Sequence, residues 1–241
     1  MLDEHYRNPK LTALYDLDSG WSIERDFYVR FAGPATNSVL DIACGTGLIA
    51  SRLAQEGHTV FGVDPATAML EVAQRRPVGD LAVWIESTAQ DLALERRFDR
   101  IMMTGNAFQV LLTEQDLEAA LLVMQRHLAA SGRIAFETRN PEIDWTSRWD
   151  YQIELETAEG VVHEQRKLVG VRDGLLRFEL LYEFPDGRLR SESTLRFWTL
   201  REIEQHLDAA GLRVADVYGD WNGGPFDSRK SEEMIFVTEG R

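Results

Sequence analysis

Two short runs of the chain carry residue types at spacings that chemistry can use. Val39-Leu40-Asp41-Ile42-Ala43-Cys44-Gly45-Thr46-Gly47-Leu48-Ile49-Ala50 reads as a buried strand, a glycine turn and the start of a helix. Thr59-Val60-Phe61-Gly62-Val63 reads as a second strand, and it ends on Asp64. Glycine allows backbone to touch a ligand and to adopt positive φ. The helix start behind the turn offers free N–H groups to an anion. An acid at the end of the second strand suits the hydroxyls of a ribose. Together the two runs describe a pocket for a nucleoside.

On residues alone, two cofactors compete for that pocket. Gly45-Thr46-Gly47-Leu48-Ile49-Ala50 matches G-x-G-x-x-A, with Asp64 17 residues after Gly47, so dinucleotide binding is one reading. Asp41 stands immediately before the turn, where it opposes a pyrophosphate and suits the ammonium of an amino-acid-like cofactor. No Tyr-x-x-x-Lys arrangement for hydride transfer follows downstream.

Around these runs the chain must supply a scaffold. Residues 1–33 read as helical and amphipathic, and Gly33-Pro34-Ala35-Thr36-Asn37 breaks the pattern. Helices are expected at 48–56, stopped by Gly57, at 68–75, and at 114–128, capped by Thr113 and closed at Gly132. Strands are expected at 81–85, 98–103 and 133–137. This βαβα rhythm, with almost continuous apolar strands, indicates an α/β fold with a parallel sheet covered on both faces. Residues 151–197 instead alternate with period two, as half-buried antiparallel strands do. Leu176, Phe178, Leu180, Tyr182 and Phe184 share one face, and Glu159-Gly160, Asp173-Gly174 and Asp186-Gly187 mark turns. Thr199-Leu200-Arg201-Glu202 is a capping box that opens a helix to Ala210, before strands at 212–218 and 234–238.

Composition narrows the partners. The 241 residues are 44% hydrophobic and 27% charged, with a net charge of −14. That charge argues against a nucleic-acid or acidic-membrane partner, since phosphates are bound by clustered Lys and Arg. Arg75-Arg76 and Arg96-Arg97 are short basic runs that read as solvated surface. No apolar run approaches the roughly 20 residues that span a bilayer. The N-terminus lacks a signal-peptide core, and the lone Cys44 excludes an internal disulfide framework, so a cytoplasmic location is expected. His5, His58, His127, His163 and His206 show no metal-ligand spacing, so no metal is expected.

Four segments in order resemble the class I S-adenosylmethionine-dependent methyltransferases. Asp41 to Gly47 is similar to their first motif, and Gly62-Val63-Asp64-Pro65-Ala66-Thr67-Ala68-Met69-Leu70 to their second-strand motif. Phe98-Asp99-Arg100-Ile101-Met102-Met103-Thr104 resembles the fourth-strand motif, and Leu128-Ala129-Ala130-Ser131-Gly132-Arg133 the turn into strand five. The resemblance implies a seven-stranded, mostly parallel Rossmann-like sheet with an antiparallel β insertion after strand five. It divides the chain into a helical cap (1–33), a cofactor-binding core (34–142), a substrate lid (143–198) and a segment completing the sheet (199–241). The order of parts also resembles the amino-sugar N,N-dimethyltransferases, through Tyr15-Asp16-Leu17, the insertion, and Ala209-Ala210-Gly211-Leu212-Arg213-Val214.

The same resemblance implies S-adenosylmethionine as cofactor, with S-adenosylhomocysteine as product, and methyl transfer to a nitrogen or oxygen of a small molecule. Asp41, Ala43, Cys44, Gly45 and Gly47 would serve the methionine part, Asp64 and Pro65 the ribose, and Met69 the adenine. Thr88 stands where the family usually has an acid for the adenine amine, so Ala89, Gln90 and Asp91 are the remaining candidates there. Thr104, Gly105 and Phe108 would face the sulfonium. Substrate candidates are Tyr15, Tyr28, Asn106, Arg139, Trp145 and Trp149. The side-chain candidates for a part in the chemistry are Tyr15, Glu137, Arg139 and His206, although positioning alone can supply much of the rate. A monomer, or a homodimer joined through the insertion, is expected. The alternatives are an NAD-linked or nucleotide-sugar oxidoreductase and a cofactor-binding regulator without catalysis.

Overall fold

The computed structural model describes residues 2–241. Two sheets carry the molecule. The larger is built from β1 (Ser38–Ile42), β2 (Thr59–Asp64), β3 (Val83–Glu86), β4 (Phe98–Met103), β5 (Leu128–Arg139), β10 (Leu212–Tyr218) and β11 (Glu233–Gly240). Its order is β10-β11-β5-β4-β1-β2-β3, and only β11 runs against its neighbours. The smaller sheet is an antiparallel meander of β6 (Tyr151–Thr157), β7 (Gly160–Arg172), β8 (Leu175–Phe184) and β9 (Gly187–Arg196). This is the seven-stranded Rossmann-like architecture with an antiparallel insertion that the motifs imply.

The alternation of each strand sends side chains to two cores. On one face Leu40, Ile101, Ile134 and Phe136 pack with α7 (Glu114–His127) and α8 (Leu200–Ala209). On the other, Val39, Val60, Met102 and Ala135 pack with α4 (Ile23–Ala32) and α5 (Leu48–Gln55). A third cluster lies under the small sheet. Phe178, Leu180 and Tyr182 of β8 meet Trp149 and also Leu11 and Leu14 from the N-terminal segment. The first helices therefore pack as a cap on the inserted sheet.

The chain runs β1, β2, β3 toward one edge and returns on the other side of β1 with β4. That reversal opens a crevice at the carboxyl ends of β1 and β4, the general place for a ligand in such a sheet.

Several boundaries differ from expectation. The N-terminal region is not one amphipathic run but α1 (Glu4–Arg7), α2 (Pro9–Thr12), α3 (Tyr15–Asp18) and α4, since Pro9 and Gly20 interrupt it. The α7 helix ends at His127, where the ring Nε2 accepts the Leu94 N–H at 2.9 Å while Nδ1 lies 2.7 Å from the Val123 carbonyl. Strand β5 then begins at Leu128, not Arg133. Its pairing with β4 jumps from Phe98↔Leu128 to Arg100↔Arg133, so Ala129–Gly132 loops out as a bulge within the strand. Gly132 is required there, because a Cβ would lie 2.8 Å from the Phe98 carbonyl oxygen. All three glycine turns join strands of the small sheet, and both Thr113 and Thr199 close capping boxes.

Candidate functional site

The turn after β1 is held in an unusual shape by its own partners. Ala43, Gly45 and Gly47 have φ of 57°, 53° and 71°. The Cys44 N–H reaches the Val63 carbonyl at 3.0 Å, which ties the turn to the end of β2. Asp64 accepts from the Gly45 N–H at 2.9 Å and from the Ala66 N–H at 2.8 Å. A left-handed alanine costs conformational energy that surrounding structure must hold in place. Here the Asp64 carboxylate and the β1–β2 ladder supply that hold. Behind the turn Trp84 of β3 occupies the space that side chains at Gly47 and Gly62 would need, at 2.4 and 2.5 Å.

A cavity of about 1120 Å³ opens at this turn and extends to the small sheet. At one end it is lined by Ala43, Gly45, Asp64, Pro65 and Met69, with Thr88, Ala89 and Gln90 alongside. Thr104, Gly105 and Asn106 form its middle wall. Arg139, Trp149, Tyr151, Glu164, Arg166 and Tyr182 line the far end. Tyr15 stands across from Gly45 of the near end and Gly105 of the middle wall. A Cβ on Gly45 would come no closer than 3.9 Å to its Cε1, and one on Gly105 4.0 Å to its hydroxyl. Burial pushes the Tyr15 hydroxyl up to about 12, so it stays a neutral donor and acceptor at neutral pH.

Other candidates lie behind the wall. Asp41 is 1% exposed and is pushed up to about 8 by burial and by the nearby Asp64. Its Oδ1 has no hydrogen-bond partner. Cys44 and Gly47 belong to the turn but do not line the cavity, and burial raises the Cys44 thiol well above its usual range. Asp91 is exposed and accepts a hydrogen bond from the Thr88 hydroxyl at 2.7 Å.

Four expected site residues are placed elsewhere. Phe108 turns into the core and stacks on Phe136 at 4.2 Å, because the 3-10 turn at 107–110 sends its apolar side chain inward. Tyr28 is fully buried on α4 and donates its hydroxyl to Glu137. His206 lies on α8, edge-on to Trp198 and 3.4 Å from Glu118, away from the cavity. Trp145 backs Arg139 at 5.6 Å without reaching the lining.

Glu137 does not line the cavity either, yet it sets the middle wall. Its Oε1 accepts the Asn106 N–H at 2.5 Å, and Glu24 Oε1 accepts the Gly105 N–H at 3.1 Å. Both backbone residues have positive φ, so two carboxylates fix a strained loop from behind. Burial raises Glu137 well above the usual carboxylate range.

Residue reading missed two features of the site. The sequence reads Arg75-Arg76 as surface, and only Arg75 is exposed. Arg76 Nε donates to the Thr46 carbonyl at 2.6 Å, and its guanidinium pairs with Asp16, which also accepts from the Thr46 hydroxyl at 2.6 Å. This knot fastens the N-terminal cap to the glycine turn. Asp16 sits inside Tyr15-Asp16-Leu17, so the signal was present beside the tyrosine. Glu164 and Arg166 of the insertion gave no signal beyond strand alternation.

Residues 39–132 match the family model described as a methyltransferase domain. The chain is 28% identical over 210 residues to the cypemycin N-terminal methyltransferase of a Streptomyces species, covering 84% of this chain and 82% of that one. It is also 28% identical to a dTDP-3-amino-3,6-dideoxy-alpha-D-glucopyranose N,N-dimethyltransferase of Streptomyces fradiae, covering 81% and 77%. Among solved structures, a SAM-bound amino pentose methyltransferase of Micromonospora echinaspora superposes with a TM-score of 0.72 at 24% identity, covering 95% of each chain.

Proposed function

We propose that the chain, whose residues 39–132 match a methyltransferase domain, is an S-adenosylmethionine-dependent methyltransferase that methylates the amine nitrogen of a small molecule held at the far end of the cavity. The observation that carries this reading is the continuity of the cavity. One space runs from the glycine turn to the aromatic wall of the small sheet, with Tyr15 and the 104–106 loop at its waist. One relative is described as an N-terminal methyltransferase and the other as an N,N-dimethyltransferase of an amino sugar, which supports nitrogen as the acceptor. The dinucleotide reading of the same turn gains nothing from them.

The residues present fit the cofactor. The backbone at Ala43 and Gly45 lies open to the cavity, with no atom crowding the place a side chain would take at Gly45. Each Asp64 oxygen accepts one backbone N–H and keeps a lone pair that a ribose hydroxyl can donate to. Met69 and Ala89 supply apolar surface for a base, and Asp41 keeps an unpartnered acceptor oxygen under the turn. When bound, S-adenosylmethionine supplies an activated methyl group: the amine lone pair forms the new N–C bond as the C–S bond breaks onto sulfur, and the product amine sheds a proton.

The protein then contributes alignment and dryness. The 104–106 loop, held by Glu24 and Glu137, sets the wall beside which the amine must pass. Tyr15 closes the waist from the cap side. Holding the partners in line is the main catalytic device, and no side chain need carry a charge through the step. The test is methyl transfer from labelled S-adenosylmethionine to matched amine and alcohol panels, with the product located by its N-methyl resonance. Amine products are expected; turnover of alcohols alone would overturn the nitrogen assignment.

A further inference from the structure

The far end of the cavity holds polar groups that the protein leaves without partners. Arg139 ends β5 and Arg166 stands on β7, so they arrive from different sheets. Both converge on Trp149, with their guanidinium carbons 5.1 and 5.9 Å from its ring centre. Arg139 makes one hydrogen bond, from Nη1 to Gln109 Oε1 at 2.8 Å, and no ion pair among the described residues. Arg166 approaches Glu164 at 3.8 Å, too far for a hydrogen bond, and its Nε–H has no acceptor. The Trp149 indole N–H and Glu164 Oε1 are also unpartnered, although these residues are only 4% and 2% exposed. Buried polar atoms are nearly always satisfied, and the two orphaned donors on this cavity wall, the Arg166 Nε–H and the Trp149 indole N–H, indicate a missing acceptor.

We infer that Arg139, Arg166 and Trp149 form a carboxylate-binding subsite, so that the amine acceptor carries a carboxylate. This rests on the methyltransferase reading above. Guanidinium donors are spaced as a fork that a planar carboxylate matches with paired hydrogen bonds. The indole adds one more donor. Arg166 is held between Tyr151 and Phe178, at 4.7 and 5.2 Å, so its fork is already oriented. Glu233 lies opposite Arg139 on β11 without closing an ion pair, which leaves the Arg139 charge for a ligand. The other charged groups of the lining are the acids Asp3, Asp18, Asp64, Asp116, Glu164 and Glu192 and one further cation, Arg177, so acids predominate outside the subsite. They suit the ammonium form of an arriving amine, which gives up a proton to solvent before its lone pair can attack, and they oppose a doubly charged phosphate. A single carboxylate on an amine satisfies both ends.

The test titrates the full-length protein, saturated with S-adenosylhomocysteine, with matched probes by calorimetry. Glycine is set against methylamine and aminomethylphosphonate, and phenylalanine against phenethylamine. At least one carboxylated probe is expected to bind tenfold or more tightly than its amine counterpart and than the phosphonate. Arg139→Met and Arg166→Met are expected to reduce that preference below twofold while S-adenosylhomocysteine still binds. Arg166→Lys keeps the charge without the fork and is expected to retain an intermediate preference. Equal affinity for amine and amino acid, a phosphonate preference, or no saturation by any carboxylated probe would overturn the subsite and leave the transferase reading standing. Failure of the unmodified protein to bind S-adenosylhomocysteine would instead overturn the reading beneath it.

Discussion

Asp64 joins two tasks in one carboxylate. It braces the glycine turn through two backbone N–H groups and keeps lone pairs toward the cavity. Asp64→Ala is expected to weaken S-adenosylhomocysteine binding by about 1.5–3 kcal/mol, the scale of a hydrogen bond to a charged group, as read by calorimetry. Unchanged affinity in the folded variant would remove Asp64 from the ribose assignment. Tyr28 tests the wall from behind. Tyr28→Phe strips the hydroxyl from a buried Glu137 and is expected to cost about 1–3 kcal/mol in urea unfolding. Its effect on turnover should exceed its effect on cofactor affinity, because Glu137 anchors Asn106 and not the glycine turn. At this scale the sequence was readable where backbone conformation dictates residue type. Gly45, Asp64 and Met69 line the cavity as their motifs suggest, because a close approach and a strand end each admit few residues. Side-chain direction was less readable. Phe108 follows strand four at a plausible spacing, yet a single 3-10 turn decides whether it faces ligand or core.

Among the elements, the inserted sheet and the cap depend on each other. Leu11 and Leu14 fill the apolar face of β8, and the His5 N–H donates to the Ser191 hydroxyl at 3.1 Å. Ser193 donates to Asp3 at 2.5 Å. Deleting residues 151–195 is expected to abolish turnover while cofactor affinity survives in weakened form, because the cap loses its apolar support but keeps the Asp16 knot. Limited proteolysis should then cut within residues 3–14, and full resistance there would contradict the coupling. Asp16→Ala is the complementary cut. It should weaken S-adenosylhomocysteine binding about tenfold, near 1.4 kcal/mol, with little change in melting temperature. The strand order and the hairpins were legible because period-two alternation and Asp-Gly turns are local signals. The start of β5 was not, since a bulge of looped-out residues carries the same small-residue composition as a helix-ending turn. Nor was the role of Arg76, whose partners lie 30 and 60 residues away.

For the molecule as a whole, buried acids set a pH dependence. Burial raises Glu164 and Glu233 to about 7 and Asp41 to about 8, above their usual values. The folded state therefore prefers the protonated forms more than the unfolded chain does. Their stabilising contribution is complete below the ordinary carboxylate range and is lost as pH rises through about 7 and then 8. The net charge of −14 adds repulsion in the same direction. The melting temperature without ligand is expected to fall steadily from pH 5.5 to 8.5, and a rise over that interval would contradict these assignments. No helix of the described residues is long and apolar enough to cross a membrane. The knot of Asp16, Thr46 and Arg76 also bears on timing. The cap is sewn to the inserted sheet at one end and to the glycine turn at the other. The cap thus bridges the two ends of the one cavity, and on the proposed function it stands between the nucleoside and the amine. Entry in a fixed sequence is the expected outcome, with the nucleoside first, the amine second and the spent nucleoside departing last. Steady-state patterns should show S-adenosylhomocysteine competing with the methyl donor alone, and turnover should quicken when Asp16→Ala loosens the hinge.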